Sequence, residues 1–269
     1  MAPVMKAKRM PLNNPKVQAL YRYPVKGLSA EALPFAKLVA NEVIHGDRLY
    51  AIEAGTGKFD ENNPEYFRKV NFLMLMRDEA LANLETSYVD EGQMLTVREE
   101  GKVSLSACLS SAEGRKAAED FFARFLPENF EGAPKIVRAN LDGFSFSDVD
   151  QKVISVVNLS SVRELEKAAG VRLDPMRFRA NLYLEGLAPW SELEFLEKKF
   201  SVGGAILEGE KITRRCKAID VNPETGERDL ALTRILLEQF GHSDCGIYCR
   251  VFQGGKINVG DEFIEIDKA

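Results

Sequence analysis

The chain has 269 residues, 45% hydrophobic and 29% charged, which is enough for one large domain or two small ones. A formal net charge of −5 argues against a nucleic-acid partner but allows a local basic pocket. Four cysteines and two histidines are too few for a disulfide scaffold or a clear zinc site. No segment approaches the ~20 apolar residues that span a bilayer, and residues 1–16 lack the apolar core of a signal peptide. We therefore expect a cytoplasmic protein with no membrane partner and with reduced thiols.

The first half of the chain predicts short strands followed by one helix. Strands are predicted at residues 17–24, 33–43, 48–53, 80–88, 94–98 and 102–105. Residues 67–76 are apolar without a clear period, so helix and strand both stay open there. Ser111 can cap a helix that runs to Leu126 and that Pro127 ends. Residues 127–134 are typical of a linker.

The second half predicts more strands and two helices. Strands are predicted at residues 135–139, 153–157, 181–184, 205–207, 217–221, 248–252 and 262–266. Helices are predicted at 162–169, capped by Ser160 or Ser161 and closed by Gly170, and at 233–240, ended by Gly241. Because short strands follow one another closely, we predict a mainly β, α+β fold with a small barrel or sandwich and few helices. The predicted domains are residues 1–134 and 135–269.

Cys216 is the first candidate for chemistry, because Arg214 and Arg215 precede it. Adjacent positive charge favours the thiolate, which is the form that binds soft metals. The alternative is that Cys216, at the start of a predicted strand, is a small buried hydrophobic residue.

Basic residues at two other places are candidates for binding an anion. In an extended segment, Arg177 and Arg179 would share one face, and with Asn181 they could clamp a phosphate or carboxylate. Lys26 lies in a turn after the first predicted strand, where Gly27 allows close approach of a ligand. The alternatives are exposed charges on an edge strand and a solvated turn lysine.

Two other patterns are rejected. Gly55-Thr56-Gly57-Lys58 looks like a phosphate loop, but Phe59 stands where Ser or Thr is needed and the first glycine is missing. His242, near Asp244 and Cys245, permits a Cys–His pair, but the spacing fits no protease signature.

Seven segments along the chain resemble the MOSC superfamily, which is named after the C-terminal domain of molybdenum cofactor sulfurase. In the first half they are Tyr23-Pro24-Val25-Lys26 and Gly46-Asp47-Arg48-Leu49-Tyr50. In the second half they are Arg177-Phe178-Arg179-Ala180-Asn181, Gly186-Leu187-Ala188-Pro189-Trp190-Ser191-Glu192, Arg215-Cys216-Lys217-Ala218 with Asn222-Pro223-Glu224-Thr225-Gly226, Gly246-Ile247-Tyr248 and Lys256-Ile257-Asn258-Val259-Gly260-Asp261. Their order spans nearly the whole chain, and the amidoxime-reducing components and their bacterial homologues are the members that the chain resembles most.

The resemblance implies an N-terminal β-rich domain, a C-terminal MOSC-like β-barrel, and a molybdenum-pterin cofactor (Mo-molybdopterin) in the cleft between them. It implies that Cys216 is the molybdenum ligand and the catalytic residue. The residues that would hold the pterin phosphate and ring are Lys26, Arg48, Arg177 and Arg215, with Asn181 and Tyr248 beside them.

The activity that the resemblance implies is molybdenum-dependent reduction of a small N-hydroxylated substrate, such as an amidoxime or an N-hydroxylated base. The cysteines are not spaced for an iron–sulfur centre, so electrons are expected from a separate electron-donor protein. Asp220, Glu224 and Asp244 stay open as proton donors. The alternatives are a cofactor or sulfur carrier without turnover and a structural relative without cofactor.

Overall fold

The computed structural model describes residues 14–266, and its regular structure is mostly β. The expected absence of a signal peptide concerns residues 1–16, most of which lie outside the described residues. The strands are, in chain order, β1 (Lys16–Arg22), β2 (Glu31–Leu33), β3 (Phe35–Leu38), β4 (Ala51–Glu53), β5 (Leu84–Val89), β6 (Met94–Glu99), β7 (Lys102–Cys108), β8 (Lys135–Val137), β9 (Ile154–Asn158), β10 (Leu182–Glu185), β11 (Lys199–Val202), β12 (Ala205–Arg214), β13 (Asp244–Gln253), β14 (Gly255–Asn258) and β15 (Phe263–Ile266). The helices are α1 (Ala112–Phe125), α2 (Leu159–Ala169) and α3 (Leu232–Ile235), which continues into a π-helical turn over Leu236–Phe240.

Eight strands form one curled sheet in the order β15-β11-β12-β13-β9-β10-β1-β2. The sheet closes where β1 meets the segment before β15: the Val17 amide donates to the Asp261 carbonyl at 2.9 Å. β9 and β10 run parallel, and α2 makes the crossover between them, as a parallel pair requires. The aliphatic side chains inside this sheet form one core. This architecture confirms the predicted mainly β fold with peripheral helices.

A second core lies in the N-terminal half. There β5, β6 and β7 form an antiparallel meander, and α1 packs on it through Ala118, Phe121 and Phe122. Ser111 caps α1 by accepting a hydrogen bond from the Gly114 amide, as the sequence predicts. The two halves also share strands, because β1 pairs with β10, β3 with β14 and β4 with β8. The boundary between residues 134 and 135 stays a prediction.

Local structure differs from the sequence prediction at several places: the predicted strand over 80–88 begins with a 3-10 turn, Glu79–Asn83, and β11 and β14 were not predicted. The segment around Arg177 is a 3-10 turn, Pro175–Phe178, because Pro175 starts it and the Asp174 side chain caps it. Lys217–Asp220 is also a 3-10 turn, so the predicted strand over 217–221 is wrong and Cys216 follows β12 instead of starting a strand. Asn158 caps α2, one turn before the predicted start, since its side chain accepts from the Ser160 amide.

Within residues 14–266, no helix is long and apolar enough to cross a lipid bilayer.

Candidate functional site

A cavity of about 280 Å³ lies where the end of the curled sheet meets the N-terminal half. It is lined by all seven residues that the sequence singles out for cofactor and metal: Lys26, Arg48, Arg177, Asn181, Arg215, Cys216 and Tyr248. These residues are up to 222 positions apart in the chain, counting from Lys26 to Tyr248. Folding therefore gathers residues from distant motifs around one space.

Lys26 enters the cavity from the turn after β1. Gly27 has a φ of +86°, and a Cβ there would lie 3.0 Å from the Leu73 carbonyl oxygen, so the turn requires glycine. The Lys26 ammonium is buried, donates to the Phe146 carbonyl at 2.9 Å and pairs with the Asp148 carboxylate. Burial lowers the pKa of Lys26, and Asp148 opposes this only in part.

Arg48 lies beside Lys26 and is held by its own neighbours. Its backbone is left-handed, with a φ of 50°, and its guanidinium pairs with Asp47 while it lies over the Tyr23 ring at 5.0 Å. Asp47 is fixed in turn, because it accepts a hydrogen bond from the Tyr23 amide. Burial acts to lower the pKa of Arg48, but the nearby acidic groups, chiefly Asp47 and Asp148, together outweigh it and the pKa is raised.

Arg215 follows β12 and spans the floor of the cavity. Its Nε donates to the Cys245 carbonyl at 2.6 Å and its Nη1 to the Phe178 carbonyl at 2.9 Å. Gly246 leaves room for this guanidinium, since a Cβ there would lie 2.8 Å from Nη2. Within the described residues, the buried Nη2 atom has no hydrogen-bond partner.

Arg177 and Thr213 also carry polar atoms without partners. Arg177 pairs with Asp229 at 2.7 Å, but among the residues that the structure describes its buried Nε has no acceptor, and the buried Thr213 hydroxyl is likewise unpaired. Three of the six such atoms within residues 14–266 therefore belong to residues that line this cavity. Because buried polar groups in native proteins are nearly always satisfied, this concentration indicates a place for a polar ligand.

Asn181 and Tyr248 differ in what they can offer. The Asn181 side chain accepts from the amide and hydroxyl of Ser155 and donates to the Tyr21 carbonyl at 3.2 Å, so it ties β9 to β1. Burial raises the pKa of Tyr248, and the nearby Asp148 carboxylate adds to the shift. Tyr248 therefore keeps its phenolic proton at neutral pH.

Cys216 is half-buried on the cavity wall, and Lys69 reaches it from the other half of the chain. The Lys69 ammonium lies 3.3 Å from the Cys216 sulfur and 3.6 Å from the Asp148 carboxylate. Burial would lower the pKa of Lys69, but Asp148 and Cys216 outweigh it and the pKa is raised. Lys69 thus brings a positive charge into direct contact with the sulfur.

The cavity is strongly basic for a chain whose net charge is −5. Its lining contains eight lysine and arginine residues and one acidic residue, Asp148. The pKa of Asp148 is well below its usual range: burial would raise it, but Lys26 and Lys69 outweigh burial. The three proton-donor candidates from the sequence, Asp220, Glu224 and Asp244, do not line the cavity.

The sequence prediction missed Lys69 and Asp148 as residues of this cavity, whereas it named Arg179, with Arg177, as a candidate for binding an anion. Lys69 lies in the segment of ambiguous type and Asp148 in a polar loop, and neither belongs to a recognisable motif. Arg179 shares its segment with Arg177 and lies 4.4 Å from the Tyr23 ring centre. The signal for Arg179 was present in the sequence, whereas only tertiary contacts reveal the other two.

Cys245 and Cys249 have no access to the cavity. Both are fully buried in apolar cores, and burial raises the pKa of each thiol to about 12. At neutral pH they are inert packing residues, because the thiolate is the reactive form.

Family models match both halves of the chain. The MOSC N-terminal beta barrel domain matches residues 14–133, and the MOSC domain matches residues 143–264. The chain belongs to the MOSC family. Lys26, Arg48 and Lys69 lie within the first matched region, and Cys216 lies within the second, so the cavity of this MOSC protein is built from both.

Curated relatives of this MOSC protein include the molybdenum cofactor sulfurases of Drosophila erecta and Drosophila melanogaster. Each is 28% identical over 266 residues, which covers 91% of this chain and 33% of the relative. The chain therefore spans about a third of the length of these relatives. The closer resemblance to amidoxime-reducing components stays a prediction.

Solved structures that match are the YuaD protein from Bacillus subtilis and YiiM from Geobacillus stearothermophilus. YuaD is 16% identical with a TM-score of 0.44 and covers 95% of this chain and 98% of its own. YiiM is 22% identical with a TM-score of 0.34 and covers 42% of this chain and 54% of its own.

Proposed function

We propose that this MOSC protein binds a molybdenum-pterin cofactor in the basic cavity and acts as a molybdenum-dependent oxidoreductase. The observation that carries the proposal is the meeting of one accessible thiol, Cys216, with two unpartnered arginine donors and six inner cationic side chains in one cavity: Lys26, Arg48, Lys69, Arg177, Arg179 and Arg215. A phosphate-bearing, electron-rich dithiolene needs this kind of surrounding, because fixed cations must balance its charge.

The residues present fit such a group. Cys216 offers a single sulfur for the metal, with the Lys69 ammonium beside it at 3.3 Å. The unpartnered Nη2 of Arg215 and Nε of Arg177 offer hydrogen bonds to the anionic part of the cofactor. Lys26 and Arg48 add positive charge to the lining, which also contains Asn181 and Tyr248.

The proposed reaction is reduction of an N-hydroxylated compound, such as an amidoxime or an N-hydroxylated base. Two electrons and two protons convert its N–OH group into N–H and release water. When bound, the cofactor supplies the two-electron chemistry. Tyr248 holds its proton at Oη and can donate a hydrogen bond, whereas Asp148 stays ionised and balances Lys26 and Lys69. A separate electron-donor protein supplies the electrons.

A second candidate is a cofactor or sulfur carrier without turnover. It is favoured by the alignment of 91% of this chain with relatives named molybdenum cofactor sulfurase. In such a carrier, Cys216 would hold the cofactor or sulfur, and no reduction of a small substrate would follow.

The test is to purify the protein from a host that makes the molybdenum cofactor, alongside the Cys216→Ser variant. We expect about one molybdenum and one pterin per wild-type chain, and reduction of benzamidoxime with a chemical electron donor. Cofactor without reduction would favour the carrier. Neither molybdenum nor pterin in the wild-type protein would contradict both functions.

A further inference from the structure

Strand β12 brings a second group of anion-binding side chains to the mouth of the same cavity. Register shifts between Gly209 and Lys211, and again between Ile212 and Arg214, interrupt the alternation of the strand. As a result Lys211, Thr213 and Arg214 all line the cavity. Two cations and a hydroxyl on one short segment form a set that suits a carboxylate or phosphate.

The cations of this segment differ in their partners from three of the cations deeper in the cavity. Lys26, Arg48 and Arg177 each pair with a carboxylate of the protein. In the part of the chain that the structure describes, Lys211 forms no ion pair, and Arg214 makes one side-chain hydrogen bond, from Nε to the Ser243 hydroxyl at 3.1 Å. The Lys211 and Arg214 side chains are both exposed, so they can bind an anion that enters the cavity from solvent.

Thr213 gives an independent indication of a ligand. The residue is 4% exposed, and within residues 14–266 its hydroxyl has no hydrogen-bond partner. A buried hydroxyl without a hydrogen-bond partner is destabilising, so binding of a ligand atom that pairs with it is favoured. Thr213 lies directly between two strand positions that face the cavity, Ile212 and Arg214.

We propose that Lys211, Thr213 and Arg214 form a subsite for an anionic group of the substrate, so that this protein prefers N-hydroxylated compounds that carry a carboxylate or phosphate. This rests on the proposed reductase function. The buried inner cations suit the enclosed cofactor, whereas a substrate arrives from the mouth and meets the exposed pair first. Such a pair also raises the rate at which anions reach the cavity.

The experiment compares two substrates that differ only in charge: benzamidoxime and 4-carboxybenzamidoxime. In the Lys211→Gln/Arg214→Gln variant we expect KM for the carboxylated compound to rise about tenfold, with kcat and the KM for benzamidoxime within about twofold of wild type. Lys217→Gln serves as the matched control, because Lys217 is exposed next to Cys216 but does not line the cavity. Molybdenum and pterin contents should match those of the wild type.

Calorimetric binding of the two compounds to the purified protein gives a readout that needs no turnover. Wild type should bind the carboxylated compound more tightly, and the double variant should lose that preference. Equal effects on both compounds, or no preference in the wild type, would overturn the subsite. Loss of molybdenum and pterin in the double variant would also overturn it, since the pair would then hold the cofactor. If wild-type protein reduces neither compound, the reductase function fails, and the binding measurement still decides the subsite.

Discussion

Two regions of this molecule gather hydrogen-bond donors around a place for an anion, and they differ in where the anion comes from. In the loop that follows β4, the Glu53 carboxylate accepts from the Thr56 hydroxyl and from the amides of Lys58 and Phe59. The protein therefore satisfies the donors of this loop with one oxygen of its own side chain, Glu53 Oε1. In the cavity, donors of Arg177, Thr213 and Arg215 stay without partners in the described residues. The glycine-rich loop after β4 is therefore stabilised by a side chain of the protein itself, whereas the cavity has donors available for a ligand from solvent.

The largest effect is expected when Cys216 is replaced with serine, because this change tests whether the cavity binds a metal. We expect the Cys216→Ser variant to lose nearly all bound molybdenum, a drop of about 100-fold or more in metal affinity, because a neutral hydroxyl replaces a thiolate ligand. Elemental analysis beside a thermal unfolding curve would measure it. Cys108→Ser is the control, since Cys108 lies outside the cavity. Equal molybdenum in both variants would contradict the role of Cys216.

The Glu53→Ala variant tests how much the hydrogen bonds to Glu53 stabilise the loop after β4. Glu53 is fully buried, so its removal leaves the amide and hydroxyl donors around it without an acceptor. We expect the free energy of unfolding to fall by about 3 kcal/mol, with molybdenum content per folded chain unchanged. Urea unfolding measures the first quantity. Glu65 is exposed, so the control variant Glu65→Ala should change the free energy of unfolding by less than about 0.5 kcal/mol. A similar loss in both variants would contradict a stabilising role for the hydrogen bonds to Glu53.

The Arg215→Lys variant tests whether the unpartnered donor in the cavity binds the cofactor. Lysine keeps the charge but lacks the planar fork that reaches Cys245, Phe178 and the unpartnered position together. We expect the protein to retain its pterin about tenfold less well during dialysis, which corresponds to about 1.4 kcal/mol. Pterin fluorescence measures the retained fraction. The exposed Arg172→Lys should behave as wild type, and unchanged retention in Arg215→Lys would mean that Nη2 meets no cofactor.

The smallest effect concerns Asp148, the one carboxylate that the protein itself brings into the cavity lining. Its pKa is lowered in the fold, so its contribution to stability is present above the unfolded pKa of about 4 and is lost as the pH falls through the folded pKa. The side chain is 42% exposed, which limits the contribution to about 1 kcal/mol. Asp148→Asn should therefore be less stable than wild type at pH 7 by about that amount, and the gap should narrow below about pH 4. A gap that stays constant to pH 2 in urea unfolding would contradict this, and Asp150→Asn is the control.

Local sequence patterns predicted the regular elements well where one residue controls the backbone. Ser111 caps α1 as predicted, and Gly170 and Gly241 end their helices in left-handed conformations. The same reasoning failed at Arg177 and Cys216, where proline, an Asx cap and a strand end set up short 3-10 turns instead of extended chain. Those turns depend on capping residues and on where a strand ends, and the alternation of polar and apolar residues does not report either.

Sequence motifs alone predicted seven residues of the cavity, and all seven line it. Motifs could do this because each keeps its residues close together along the chain. The presence of Lys69 and Asp148 beside them, and of Lys211, Thr213 and Arg214 at the mouth, depends on tertiary contacts. The physical reason is that those positions depend on strand bulges and on contacts between segments more than 60 residues apart, which no local pattern encodes.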